Sequence, residues 1–324
     1  MIIVQTPLRI SLAGGGTDFE EYYSNHGGAV LSSAINKYVF AIVEKRFDDT
    51  IVLSYSKREN PKNIIQIKHG LIREAMKMTG VKKGIELTTL ADIPSEGTGL
   101  GSSSSVTVAL LHVLHSYQNE LKNARELAEE ACKIEIDILK SPIGKQDQYI
   151  AAYGGLRFIE FDKHVKVEST DISEENKQKL SDSLLLFYTG ITRNSSDILN
   201  EQNANINDNL LVLKKVRELA YQGKEILENG KLDEFGELLH YSWQLKKKLA
   251  SNVTNPLIDE IYEVALKAGA LGGKITGAGG GGFLLLYSPK GKQDDIRNAL
   301  KNFRELPFQF ESEGSKVIFN YRRN

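Results

Sequence analysis

Arg9, Asp18, Glu135 and Asp147 are the charged residues whose settings suggest chemistry, together with the serines of one glycine-rich loop. In that loop Gly97, Gly99 and Gly101 alternate with Thr98 and Leu100, then run into Ser102, Ser103, Ser104 and Ser105. Glycine lets a backbone approach a ligand closely. Serine is a favoured N-cap for the apolar run from Val106 to His115. Amides at a helix start lack internal partners and carry partial positive charge. Such a loop suits a phosphate, and its hydroxyls suit a Mg²⁺ held between phosphate oxygens. A flexible loop with a serine cap is the plainer account. No lysine follows Gly101, so this is not the Gly-x-x-x-x-Gly-Lys-Ser/Thr type of phosphate loop.

Arg9 and Asp18 flank Gly14, Gly15 and Gly16. Opposite charges at the mouth of a glycine turn suit a polyhydroxy or anionic ligand; a simple turn is the alternative. Glu135 falls on the apolar stripe Ala124, Leu127, Ala128, Ala131, Cys132, Ile138 and Leu139. An inward carboxylate is costly unless paired or bound to a metal, or it sits at the stripe edge and reaches water. Asp147 lies just beyond the break at Ser141 and Pro142. There it suits a general base or a group orienting an attacking hydroxyl, or the N-cap of a short helix to Tyr153. Arg193, near Ser195 and Ser196, either grips an anion or caps a helix. Between Gly272 and Phe283, seven of twelve residues are glycine. That density suits a loop passing close to another backbone or a phosphate.

The elements that must position these groups follow from periodicity. The pattern predicts an edge strand over residues 1–10 broken by Pro7, and a hairpin of Tyr38–Glu44 with Ile51–Tyr55. It predicts strands at Asn63–Ile67 and Ile85–Leu90, a helix at His69–Thr79, and one helix from Asn123 to Lys140. A strand over 154–161 precedes a polar stretch at 162–181, read as the junction between units 1–178 and 179–324. The second unit contains a buried strand at Leu184–Tyr188 and amphipathic helices at Leu210–Leu227 and Leu232–Leu249. In these Phe235 and Trp243 serve packing, and Lys246 to Lys248 form a solvated face. Asn255 and Pro256 open another helix. The glycine run is a loop before the strand Phe283–Tyr287. A short helix at Ile296–Phe303 and two strands within 306–320 complete the chain.

Composition narrows the class. The 324 residues are 41% hydrophobic and 26% charged, which suits a globular chain of one large or two domains. Lys and Arg number 41 against 42 Asp and Glu, a balance that argues against non-specific nucleic-acid binding. A single cysteine, Cys132, permits neither an intrachain disulfide nor a cysteine-rich zinc site, in keeping with a reducing cytoplasm. The amino-terminal residues lack a secretory pattern, and no apolar run is long enough to span a bilayer.

Three separated motifs together resemble the GHMP kinase superfamily over nearly the whole chain. They are Pro7-Leu-Arg9-Ile-Ser-Leu-Ala-Gly-Gly-Gly-Thr17-Asp18, the loop from Pro94 to Ser105, and Lys274-Ile-Thr-Gly-Ala-Gly-Gly-Gly-Gly-Phe283. The first motif, His26-Gly-Gly-Ala-Val-Leu-Ser32 and Phe187-Tyr-Thr-Gly-Ile-Thr-Arg193 are further similar to D-glycero-D-manno-heptose 7-phosphate kinases. The resemblance implies two α+β domains, the first like ribosomal protein S5 domain 2 and the second ferredoxin-like. It implies a cytoplasmic, ATP- and Mg²⁺-dependent sugar-1-kinase, a monomer or homodimer, acting on the anomeric hydroxyl of a heptose 7-phosphate. Gly97, Thr98, Gly99, Leu100, Gly101, Ser102, Ser103 and Ser104 would bind ATP, with Ser103 and Glu135 on Mg²⁺. Asp147 would act as base or orienting group and Arg9 would stabilise developing charge. Gly15, Gly16, Thr17, Asp18, Arg193, Gly279 and Gly280 would join Arg9 and Asp147 around the sugar. Triple glycine stands where galactokinases carry bulkier residues. A substrate phosphate needs a further cationic pocket, for which Arg193, Lys37 and Lys145 are candidates. L-fucose kinase, another sugar-1-kinase, and a non-catalytic sugar and ATP sensor are the competing readings.

Overall fold

A computed structural model describes residues 1–93, 97–192 and 195–321. In chain order its elements are β1 (Ile2–Ala13), α1 (Glu20–His26), β2 (Gly28–Lys45), β3 (Ile51–Ser54), β4 (Arg58–Glu59), α2 (Gly70–Met78), β5 (Ile85–Ala91) and α3 (Ser102–Tyr117). Next come α4 (Ala124–Cys132), α5 (Gln146–Tyr153), β6 (Leu156–Phe161), β7 (Lys166–Ser169), α6 (Glu174–Ser183), β8 (Leu184–Tyr188), α7 (Ser195–Ala204), α8 (Leu210–Glu228) and α9 (Leu232–Lys246). The chain ends with α10 (Pro256–Lys267), β9 (Gly272–Ile275), β10 (Phe283–Tyr287), α11 (Gln293–Ala299), β11 (Arg304–Glu305) and β12 (Lys316–Asn320).

Two sheets organise the described residues. The larger has eight strands along β12-β1-β2-β5-β3-β4, with β6 pairing β2 and β7. The smaller has four, in the order β11-β8-β10-β9. The long β2 pairs with β1 over nearly its whole length and with β5 and β6 at opposite ends. Helices α3 and α8 both pack on β1 and β2, while α9 packs on β9. One apolar cluster unites the large sheet with α3 and α8. A second, with Trp243 and Tyr262, fills the small sheet's side. Phe235 and Trp243 are fully buried, as their packing role requires.

Several local expectations change, among them the two strands expected within 306–320, where only β12 forms and β11 falls earlier, at Arg304–Glu305. β1 is interior rather than an edge, because β12 returns from the far end of the chain to pair with Ile2–Gln5. Pro7 lies beyond that pairing, at a register shift against β2, so its missing N–H costs no ladder bond to β12. The predicted hairpin does not form, because β5 inserts between β2 and β3, parallel to β3. Ile64–Gln66 is a 3₁₀ turn rather than a strand, its start held by the Asn63 side chain accepting from Gln66 N. Gly272–Ile275 is a buried strand pairing with β10, so the loop of the glycine run begins only at Thr276.

Candidate active site

The glycine-serine loop enters α3 with Gly101, not a serine, at the N-cap, at φ 75°. A side chain there would meet Arg9 Cγ at 3.0 Å, so glycine is required by both conformation and space. Ser102, Ser103 and Ser104 therefore form the first turn, and no side chain caps the amides at this helix start. With Gly97, Thr98, Gly99 and Gly101 they line a cavity of about 210 Å³ that also touches Arg9, Glu135 and Asp147. Leu100 buries its side chain in the core and offers its carbonyl to Arg9 N at 3.0 Å. Pro94, Ser95 and Glu96 lie outside the described residues. The second glycine run supports this loop from the small sheet. Thr276 Oγ1 donates to Thr98 O at 3.2 Å, and a Cβ on Gly277 would stand 2.6 Å from Gly99 Cα.

Glu135 owes its direction to a defect in its helix. α4 starts with a capping box between Asn123 and Glu126 and ends at Cys132. The chain then widens into a π-turn over Lys133–Ile138, with Leu139 N donating to Ile134 O at 2.9 Å. Such a turn re-aims a side chain and recurs at functional sites. Glu135 is 1% exposed. It accepts from Ser103 Oγ at 2.9 Å and from Gln148 Nε2 at 2.7 Å. Burial pushes its carboxyl above the usual range, against the pull of its hydrogen bonds from Ser104, Gln148 and Ser103. No lysine or arginine among the described residues forms an ion pair with it. A buried carboxylate beside a serine hydroxyl, at the wall of this cavity, is an oxygen pair that could hold a divalent cation. The described residues contain no group of three or more His, Cys, Asp or Glu that could hold a metal. The remaining ligands would have to be water and phosphate oxygens, as Mg²⁺ prefers.

Arg9 leaves β1 4% exposed and spends its whole fork within the site. Nε and Nη2 donate to the two oxygens of Asp147 at 2.7 and 2.6 Å, and Nη1 donates to Gly99 O at 2.6 Å. Asp147 does not cap α5 but sits in its first turn, two residues past the N-cap Lys145. A second cavity of about 80 Å³ lies beyond this pair, lined by Ser11, Gly15, Gly16, Asp18, Gln146, Gln202, Lys246, Lys274 and others. Asp18 is 2% exposed and accepts from Gly16 N at 3.0 Å and Gln146 N at 3.2 Å. Burial raises its pKa, with Asp147 adding to the rise. Arg9 and Asp147 line both cavities.

The other expected residues divide. Thr17 does not line either cavity; its hydroxyl donates toward Gly14 O and Ala29 O and accepts from Ala29 N, so it ties the turn to β2. Gly279 and Gly280 pack on Val253, with Gly280 N donating to Val253 O at 2.6 Å. It is Gly277 and Ala278 of that run which line both cavities. Arg193 lies outside the described residues. Lys145 turns to Tyr23 Oη at 2.5 Å and lines a separate surface cavity, and Lys37 lines neither site cavity. Two lysines were not anticipated. Lys246, expected on a solvated face, places Nζ 2.9 Å from Ile275 O and 2.5 Å from Gly277 O. Lys274 is 3% exposed and its Nζ donates to Leu12 O at 3.2 Å. Burial, reinforced by Arg9, pushes its ammonium down to about 7. The visible signal was a lone charge within a run of glycines.

Residues 64–155 match the model of the GHMP kinases N terminal domain, and residues 224–305 match that of the GHMP kinases C terminal. The chain is 32% identical to a D-glycero-alpha-D-manno-heptose 7-phosphate kinase of Campylobacter jejuni, covering 97% of this chain and 98% of that protein. It is 28% identical to an L-fucokinase/L-fucose-1-P guanylyltransferase of Bacteroides fragilis, covering 88% of this chain and 34% of that longer protein. Among solved structures, a D-glycero-D-manno-heptose 1-phosphate kinase from Bacteriodes thetaiotaomicron superposes with a TM-score of 0.84 at 26% identity, covering 99% of this chain and 100% of that one.

Proposed function

This chain belongs to the GHMP kinase family, and on that premise we propose that it transfers the γ-phosphoryl group of ATP to the anomeric hydroxyl of D-glycero-D-manno-heptose 7-phosphate, giving the 1,7-bisphosphate. One observation carries the reading. The Arg9–Asp147 ion pair is the common wall of the loop cavity and the cavity beyond the triple glycine. A donor phosphate in the first and an acceptor hydroxyl in the second would meet at this pair. The similarity to a heptose 7-phosphate kinase across almost the full length supports the choice of acceptor.

In this reading the loop from Gly97 to Ser104 cradles the phosphates of ATP with its backbone amides. Ser103 and Glu135 would hold Mg²⁺, which when bound would neutralise phosphate charge. Arg9 fixes the Asp147 carboxylate by its two-pronged grip, which leaves a free lone-pair direction on each oxygen, either of which can orient the acceptor hydroxyl. The hydroxyl oxygen bonds to the γ-phosphorus as the bond from that phosphorus to the β-γ bridging oxygen breaks. ADP leaves, and the hydroxyl proton passes to Asp147. Arg9 opposes charge gained by the transferring group, and Asp18, held by the amides of Gly16 and Gln146, accepts from sugar hydroxyls. We keep a division into 1–178 and 179–324 as part of this proposal; its boundary falls within α6, between the last large-sheet strand before it, β7, and the small-sheet strand β8, and β12 rejoins the large sheet. We assign the protein to the cytoplasm, where ATP and sugar phosphates are available.

The test is ADP release with ATP and Mg²⁺ over heptose 7-phosphate, mannose 6-phosphate, L-fucose, galactose and mevalonate. Strong turnover on heptose 7-phosphate alone is expected. Preference for L-fucose would move the chain to that acceptor, and ATP binding without turnover on any acceptor would overturn the assignment in favour of a sensor.

A further inference from the structure

We propose that Lys246 and Lys274 form the pocket for the phosphate that the acceptor already carries, so that the small-sheet wall of the acceptor cavity selects a phosphorylated sugar over its dephosphorylated form. The proposal rests on the sugar-kinase reading above. Both lysines line the acceptor cavity and neither lines the loop cavity, so they face the acceptor side of the Arg9–Asp147 wall. They come from α9 and β9, and backbone carbonyls fix both ammonium groups: Ile275 O and Gly277 O for Lys246, Leu12 O for Lys274. Lys274 makes no ion pair with a carboxylate among the described residues. Burying a cation held only by a neutral carbonyl is costly, and an ammonium has three donors to satisfy. A phosphate is the ligand that repays this arrangement. The depressed ammonium of Lys274 is consistent with it, since an arriving dianion would restore the full charge.

Other residues lining the same cavity offer a different chemistry. They include Asp18, whose negative charge would repel a phosphate but accepts from hydroxyls. They also include Ser11 and Gln146, whose Oγ and Oε1 are buried polar atoms with no hydrogen-bond partner within the protein. Unsatisfied buried oxygens beside a buried carboxylate suit sugar hydroxyls. Among the described cations the cavity is lined only by Arg9, which is occupied by Asp147 and Gly99, and by the two lysines; Lys145 faces another cavity and Lys37 lines neither site cavity. The cavity thus combines acceptors suited to sugar hydroxyls with two ammonium groups suited to a phosphate.

The experiment compares kcat/KM at saturating ATP for heptose 7-phosphate and for unphosphorylated heptose in the wild type, Lys246→Gln and Lys274→Gln. Each variant should lose about 10- to 100-fold on the phosphorylated acceptor, the effect of one charge-assisted hydrogen bond. The unphosphorylated acceptor should change by no more than about threefold, which also reports an intact fold. Inorganic phosphate should compete with the acceptor in the wild type and do so more weakly in each variant, with KM for ATP unchanged. Equal losses on both acceptors, or no loss on either, would overturn the proposal. If the wild type instead prefers mannose 6-phosphate, the heptose assignment fails while the same comparison, with mannose as the control, still decides the lysine pocket. If the wild type accepts no phosphorylated sugar, both readings fall.

Discussion

Asp147→Asn is the perturbation that most directly tests how the site works. Asp147 receives two of the three side-chain bonds of Arg9, at 2.7 and 2.6 Å, and the third ends on Gly99 O. Asparagine is nearly isosteric, keeps one acceptor oxygen, and turns an NH₂ toward the guanidinium. Removing one partner of a buried pair costs about 3–5 kcal/mol when the remaining charge is stranded. Here the Asp147 side chain is 22% exposed, and the Gly99 bond and one amide oxygen remain. The expected destabilisation is therefore smaller, about 2 kcal/mol, seen as a lower urea midpoint with an unchanged slope. The chemical loss is separate and larger. A positioned base contributes about 10²- to 10⁴-fold, so kcat at saturating ATP and acceptor should fall by that factor. The Kd for ATP, measured by calorimetry, should stay within about threefold, since the loop amides that hold the phosphates are untouched. A folded variant whose kcat falls by less than about tenfold would refute the role given to Asp147. A variant that loses ATP binding and turnover together would show that the ion pair serves mainly to hold the loop.

Three further outcomes follow from the same geometry. Glu135→Gln should raise the Mg²⁺ concentration needed for half-maximal activity and abolish stabilisation by Mg²⁺ with nucleotide in thermal melts; an unchanged Mg²⁺ response would remove Glu135 from the metal site. Lys274→Met should be more stable than the wild type at pH 6, because a buried ammonium is removed. The folded Lys274 titrates near 7 and the unfolded one near its ordinary value, so wild-type stability gains from rising pH between those values. The gap between the two proteins should therefore narrow, by at most about 1.4 kcal/mol per pH unit, in urea titrations from pH 7 to 9; a gap that is flat with pH would contradict the buried-cation account. Gly277→Ala places a Cβ 2.6 Å from Gly99 Cα at a residue with φ 64°. It should cost about 1–3 kcal/mol and raise KM for ATP more than KM for the acceptor, and an unaltered KM for ATP would show that the loop does not lean on the glycine run.

What the sequence made legible was local. The glycine loop leading into the helix of Ser102–Ser105, the helix start at Asn123 and the inward position of Glu135 all depend on residues within a few turns of one another, and each appears in the structure, although Gly101 rather than a serine is the N-cap. What it hid was set by partners distant in sequence. Ile51–Ser54 has the alternation of a hairpin partner for β2, yet β5 outcompetes it, and no pattern within residues 38–55 reports that competition. β1 resembles an edge strand until β12, some three hundred residues later, covers it. Lys246 looked solvated because its own helix gives no hint that the carbonyls of Ile275 and Gly277 lie over it. The π-turn is a different case: its sequence keeps a helical stripe, and only the hydrogen bond from Leu139 N to Ile134 O reveals the added residue that turns Glu135 toward Ser103.

The two sheets divide the labour in a way that explains why the motifs are so far apart in the chain. The large sheet supplies Arg9 from β1 and, through the helices packed on it, Ser103, Glu135 and Asp147, so the charged groups share one rigid core. The small sheet supplies the glycine run that presses on Gly99 and Thr98, together with Lys274. Each glycine contact is a place where even a methyl group would separate the two sheets: 2.6 Å from Gly277 to Gly99 Cα, and 2.5 Å from Gly282 to Thr98 O. The density of glycine is thus explained by close approach between backbones rather than by looseness. It follows that the loop cannot shift toward an incoming phosphate without the small sheet moving too.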